Sequence, residues 1–123
     1  MLLFAYGTLQ DPRRVVALVG GSFRCRVVAP ATISGVLFDV RGEYPALRPP
    51  ELPDDLVPGV VLEIDDGALP RLDEYEGTGE GLYVRESRQV HLRDGRSVEA
   101  WVYLYNRPTT SLRRIAVWPP AAG

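Results

Sequence analysis

Two stretches of the sequence combine residue types that could hold an anion or move a proton. The first is Gly7-Thr8-Leu9-Gln10, which follows the apolar run Leu2 to Tyr6 and precedes Asp11-Pro12. A strand that stops at a glycine and turns into a helix leaves amide N–H groups without intrahelical acceptors, beside the positive end of the helix dipole. Such a turn could take a carboxylate. The plainer alternative is a glycine that only permits a tight turn. The second stretch is Leu72-Asp73-Glu74-Tyr75-Glu76-Gly77. In a helix, Glu76 shares a face with Leu72 four residues earlier, and Leu72 is the residue expected to point into the core. An inward carboxyl in the last helical turn is disfavoured as an anion by burial and by the dipole. Both raise its pKa toward neutrality, where it suits proton transfer. The alternative is a solvated acid at a helix end. Asp73 and Glu74 read as solvated or capping residues.

Tyr83 opens a strand just after a glycine-rich connection, so it can reach the same place as Glu76 while its ring packs; an ordinary core aromatic is the other reading. Arg85 shares its strand face and would anchor Glu76 or the strand, or stand as a surface arginine. Tyr6 and Tyr105 read as cavity wall. The single histidine, His91, lies eight positions beyond Tyr83, roughly 26 Å along an extended strand, so it belongs at the opposite end. The single cysteine, Cys25, stands between Arg24 and Arg26. Those charges could lower its pKa, but a small buried residue is the preferred reading. One Cys and one His cannot assemble a zinc site, so neither a metal nor a cofactor is expected. All 14 basic residues are Arg, which removes lysine nucleophiles and Schiff bases. There is no Gly-x-Ser-x-Gly elbow and no phosphate loop ending in Lys.

These residues must be positioned by a chain of 123 residues, the size of one domain. The 46% apolar and 24% charged content is that of ordinary soluble globular proteins and suggests neither wholesale disorder nor membrane insertion, and no apolar run approaches the roughly 20 residues needed to span a bilayer. The apolar opening lacks a basic leader and runs into Gly7, so it reads as a strand rather than a secretory signal, and a cytoplasmic location is expected. A net charge of -2 with both signs interspersed argues against a nucleic-acid partner. Glycine and proline punctuation points to many short elements. A strand over Leu2 to Tyr6 is followed by a helix over Pro12 to Val19, capped by Asp11 and stopped by Gly20-Gly21. Strands are expected over Phe23 to Val28 and Ile33 to Val40, with Pro30 and Gly42 at their limits. Tyr44 to Pro58 reads as a loop with at most a short edge strand at Ala46-Leu47. Val57 to Ile64 is a strand, and Asp65-Asp66-Gly67 opens a short helix ending by Gly77. Leu82 to Leu92 and Ser97 to Tyr105 form a hairpin about Asp94-Gly95. A two-residue turn there places Val84 opposite Tyr105 and His91 opposite Val98. Ala100 to Tyr105 is apolar on both faces, as in a central or barrel strand. The domain spans residues 1–107, and 108–123 form a tail packed on the surface or partly disordered.

Phe4-Ala5-Tyr6-Gly7-Thr8-Leu9, Leu72-Asp73-Glu74-Tyr75-Glu76-Gly77 and Leu82-Tyr83-Val84-Arg85 occur in the order and spacing of the gamma-glutamylcyclotransferase-like family, which this chain resembles from about Leu2 to Tyr105. Gly35-Val36-Leu37-Phe38 and Tyr44-Pro45-Ala46 resemble its second strand and the segment after it. The resemblance implies an α+β fold with a small mixed β-barrel, short helices and a cavity at the barrel's end. It implies that the amides of Gly7, Thr8 and Leu9 bind the glutamyl part of a small gamma-glutamyl substrate, and that Glu76 is the catalytic acid/base. Tyr83 would line the cavity and hydrogen-bond there; Tyr6, Arg85 and Tyr105 complete the expected substrate-binding set. The implied activity is release of 5-oxoproline and a free amine from a gamma-glutamyl amine or amide, by attack of the substrate's own α-amine. The loop reads Tyr-Gly-Thr-Leu, as in the short bacterial and gamma-glutamylamine-type members, which favours a gamma-glutamyl amine over glutathione. A catalytically idle small-ligand-binding module of the same fold is the alternative, and an interaction domain using the proline-rich loop or the Trp118 tail is a third. The oligomeric state is open.

Overall fold

The computed structural model describes residues 1–20 and 22–120. In chain order the elements are β1 (Leu2–Ala5), a 3-10 turn (Thr8–Gln10), α1 (Pro12–Val19), β2 (Cys25–Ser34), β3 (Val36–Val40), β4 (Tyr44–Arg48) and β5 (Leu56–Ile64). A second 3-10 turn (Asp66–Ala68), α2 (Leu69–Glu76), a third turn (Thr78–Glu80), β6 (Tyr83–Leu92), β7 (Ser97–Tyr105) and β8 (Arg113–Ile115) follow. Five strands close into a mixed barrel, β1-β5-β2-β6-β7, and a separate sheet has the order β4-β3-β8. The barrel closes through a parallel contact of β1 with β7, at Leu3 and Trp101, while β6 and β7 are antiparallel. The end of β1, the start of β6 and the end of β7 therefore meet at one mouth of the barrel.

The helices form where their end signals are. Asp11 accepts a hydrogen bond from the Arg13 amide at 2.9 Å, Pro12 occupies the first turn, and Gly20 ends α1 at φ 104°. Gly21, the other half of the expected stop signal, lies outside the described residues, as do positions 121–123 of the expected tail. Val15 and Val19, four apart, are fully buried. Gly77 closes α2 in the left-handed region at φ 71°, its N–H bonded to the Asp73 and Glu74 carbonyls. Leu72 on α2 is completely buried and fixes which face of that helix turns inward.

Four expectations need correction. Pro30 does not end a strand: β2 runs through it, opposite Val60 of β5, with a bulge between Val27 and Ala29. The Pro30 carbonyl accepts from Arg93 on the side away from β5, so the missing N–H costs the β5 ladder nothing. The proline-rich loop is more structured than its composition suggests. Its β4 is five residues long, with Ala46 and Leu47 fully buried, and Pro45 is tolerated because β4 is the edge of its sheet. The hairpin register is shifted by one, with Tyr83 opposite Tyr105 and His91 opposite Ser97. Gly95 alone takes a positive φ, 92°, and Leu92 bonds to Arg96, so the loop is the three residues Arg93-Asp94-Gly95 rather than two. Finally, β8 pairs with β3 within residues 108–120, a strand too short and too polar to read from sequence.

Candidate active site

A cavity of about 270 Å³ opens where β1 leaves the barrel. It is walled by the β1 exit from Leu3 to Leu9, by Tyr44 and Pro45 of β4, by Tyr75 and Glu76 at the end of α2, and by Leu82, Tyr83 and Tyr103. Gly7 is extended, at φ -119°, so left-handed freedom is not why it is glycine. A Cβ there would stand 2.9 Å from the Pro45 ring, and the absence of a side chain lets the β1 exit pack on β4. Among the described residues, no acceptor is bonded to the N–H groups of Gly7, Thr8 or Leu9; only Gln10 closes the turn, onto the Gly7 carbonyl. The expected helix dipole does not act on these amides, because the segment after Gly7 is a three-residue turn, and α1 begins beyond it with Asp11 as its cap. The donors at Gly7 to Leu9 are thus unpaired turn amides, not the end of a long helix.

Glu76 is the one carboxyl in the cavity wall. Leu72 directs its face of α2 inward, and among the described residues no hydrogen-bonding or ion-pair partner reaches the Glu76 carboxyl. Burial pushes its pKa up to about 7. Near neutrality it is therefore present in both forms, as a group that both takes and returns a proton must be. The neighbouring tyrosines are not competitors for that role. Tyr6 donates to the Tyr103 carbonyl, Tyr83 to the Pro45 carbonyl, and Tyr103 to Asp73 at 2.7 Å. Burial, with the Glu76 carboxylate nearby, holds the Tyr6 and Tyr83 phenols above their ordinary values; burial and the Asp73 hydrogen bond do the same for Tyr103. All three remain neutral and rigid.

Six of the expected site residues, Tyr6, Gly7, Thr8, Leu9, Glu76 and Tyr83, line this one cavity. Arg85 does not. It forms a two-point ion pair with Asp73, at 2.8 and 3.2 Å, and lies 4.2 Å over the Trp101 ring. Tyr105 backs the wall instead of forming it, its ring edge-on to Tyr83 at 5.5 Å. Asp73 is not the solvated acid its sequence position suggested. Half-buried between Arg85 and Tyr103, it ties the turn of α2 that precedes Glu76 to β6 and β7. Tyr44, Pro45, Tyr75 and Tyr103 were not anticipated as lining. Tyr103 was within reach of a period-two reading from Tyr105, whereas Tyr44 and Pro45 reach the cavity only through the pairing of β3 with β4.

His91 is exposed at the far end of β6, its Nδ1 3.1 Å from the Ser97 hydroxyl. Burial raises the Cys25 thiol, so the flanking arginines do not make it a thiolate. Among the described residues there is no group of three His, Cys, Asp or Glu placed to hold a metal ion, and no helix is long and apolar enough to cross a membrane.

The barrel's exit loop and the end of the short helix α2 frame one carboxyl, and comparison with known proteins identifies the family of the fold. The family model described as "Gamma-glutamyl cyclotransferase, AIG2-like" matches residues 3–118, and the chain belongs to that family. An AIG2-like protein from Mus musculus superposes with a TM-score of 0.76 at 24% identity, over 95% of this chain and 86% of that one. A structure titled "Gamma-glutamyl cyclotransferase" gives 0.72 at 22% identity, over 93% and 69%. An uncharacterized protein from Pyrococcus horikoshii gives 0.62 at 19%, over 94% and 86%. At these identities the likeness is one of fold, the α+β fold with a small mixed barrel. No curated protein matches the sequence.

Proposed function

We propose that the protein is a cyclotransferase that releases 5-oxoproline and a free amine from a gamma-glutamyl amine or amide, with Glu76 as its acid/base. The observation that carries this is the Glu76 carboxyl: unpartnered, held near neutrality by burial, and in the same cavity wall as three unbonded amides. In the reaction, the α-amine nitrogen attacks the γ-carbonyl carbon of its own glutamyl group. A lactam C–N bond forms, the original amide C–N bond breaks, and the amine leaves. The substrate brings its nucleophile, so no activated Ser or Cys is required. The ionised Glu76 takes a proton from the α-ammonium, freeing its lone pair, and returns one to the departing nitrogen. The amides of Gly7, Thr8 and Leu9 hold the substrate's α-carboxylate or neighbouring polar atoms and so fold it into the attacking conformation. The tyrosine wall excludes water. A cytoplasmic setting is part of this proposal, supported by the free thiol of Cys25.

The test is incubation with a panel of gamma-glutamyl amines and peptides, scored for 5-oxoproline. Wild-type protein is expected to release it, and Glu76→Gln to lose on the order of 10²–10⁴-fold in rate, the usual contribution of a positioned acid/base. Equal turnover by the variant removes Glu76 from its role. No product from any compound favours the idle binding module.

A further inference from the structure

The cavity has a closed base and an open mouth, and the two differ in chemistry. Leu3, Phe4 and Ala5 at the base are buried. At the mouth stand Tyr75, 52% exposed, with the half-buried Tyr44 and Leu82. If the glutamyl group is held by the turn amides and its reacting nitrogen by Glu76, the departing amine must extend past Glu76 to this mouth. No lining side chain other than Glu76 carries a charge. The hydroxyls of Tyr6, Tyr83 and Tyr103 are turned into the protein, so they offer the leaving group no donor.

On the basis of the cyclotransferase reading, we infer that the departing amine is neutral and apolar: the mouth is a pair of tyrosine rings and a leucine, without a charged partner for a carboxylate or an ammonium. A carboxylate at the end of the leaving group would lose water there and gain no cation from the lining. The guanidinium groups that act on the Tyr44 phenol, Arg41 and Arg107, are exposed and stand outside the lining, where water screens them. An ammonium gains no fixed counterion either, because Glu76 is exchanging the reaction's proton. A hydrocarbon chain, by contrast, buries its surface against ring faces and methyl groups and needs no charged partner.

Three substrates with one common chain length separate these cases: gamma-glutamyl butylamide, gamma-glutamyl-γ-aminobutyrate and gamma-glutamyl putrescine, which end in a methyl, a carboxylate and an ammonium. The butylamide is expected to have the highest kcat/KM, by about 10- to 100-fold over either charged-ended substrate. Tyr75→Arg, a substitution on the exposed face, is expected to raise kcat/KM for the carboxylate-ended substrate several-fold relative to the butylamide. Equal turnover of all three, a preference for either charged end, or an unchanged ratio in Tyr75→Arg overturns the inference and leaves the cyclotransferase reading standing. Absence of 5-oxoproline from all three overturns both.

Discussion

The desolvation that would suit Glu76 to the proposed proton transfer carries a stability cost, and the sign of that cost is set by the raised pKa. The carboxyl titrates at about 7 in the fold against 4.5 when unperturbed. Between those values the native state binds more protons than the unfolded chain, so stability is greatest below pH 4.5 as far as this group is concerned. It falls as pH rises toward 7 and levels above it. The full penalty is about 3 kcal/mol at most. Glu76→Gln, neutral throughout, should therefore be more stable than wild type at pH 8 and no more stable at pH 4.5, measured as urea midpoints at the two values. A midpoint shift that is the same at both would mean that the carboxyl is not desolvated. His91→Ala, altering an exposed side chain at the opposite end of β6, should leave kcat/KM unchanged; a loss beyond a few-fold would place chemistry outside the cavity.

Among the elements, α2 is the one whose placement the site depends on. Its end is held by Leu72 in the core and by Asp73 bridging Arg85 and Tyr103. Asp73→Asn removes one charge from a half-buried pair and should destabilise the fold by about 1–3 kcal/mol. As a positioning residue it should lower kcat more than it raises KM, a split that general destabilisation at a temperature well below unfolding would not produce. Helix α1 was legible in the sequence because its signals are local: an Asp-Pro start, a glycine stop, and apolar residues four apart. For α2 the opening expected at Asp65-Asp66-Gly67 is a 3-10 turn and the helix begins at Leu69 without a side-chain cap, so only its Gly77 stop was legible. The strands were less so. Pro30 looks like a boundary until its backbone is known to face away from β5, with its carbonyl accepting from Arg93, and Pro45 looks like loop until β4 is known to be an edge. The hairpin was visible but its register was not, because Asp-Gly serves both two- and three-residue turns. That one-residue difference decides whether Tyr105 faces Tyr83 or Val84.

At the scale of the whole molecule, the cavity depends on chain segments that only barrel closure brings together. The β1 exit, the β3–β4 turn, the end of α2 and the β6–β7 hairpin are each readable, yet nothing local in sequence pairs β1 with β7. Of the lining residues that sequence missed, Tyr103 depends on barrel closure, Tyr44 and Pro45 on the packing of the β4-β3-β8 sheet against the barrel, and Tyr75 on the position of the end of α2. The residues that were found, Tyr6 to Leu9, Glu76 and Tyr83, sit within the motifs that also carry the family resemblance. Gly59 of β5 shows how tight that closure is. A Cβ there would fall 2.4 Å from the Ala5 carbonyl oxygen and 2.7 Å from the Phe4 ring, a clash that involves backbone. Gly59→Ala should cost about 1–3 kcal/mol in unfolding free energy and displace the β1 exit on which the amides ride. An unaltered thermal midpoint would show the strand pair to be looser than described.

The central claim is that one half-buried carboxyl, half-ionised at neutral pH, moves the proton while the bound substrate cyclises. The dependence of kcat/KM on pH, followed by 5-oxoproline release, tests it most directly. The account predicts an acidic limb with its midpoint near pH 7, where Glu76 loses its proton, and no such limb in the residual activity of Glu76→Gln. A rate that is flat from pH 5 to pH 8, or a limb that persists in the variant, would contradict it.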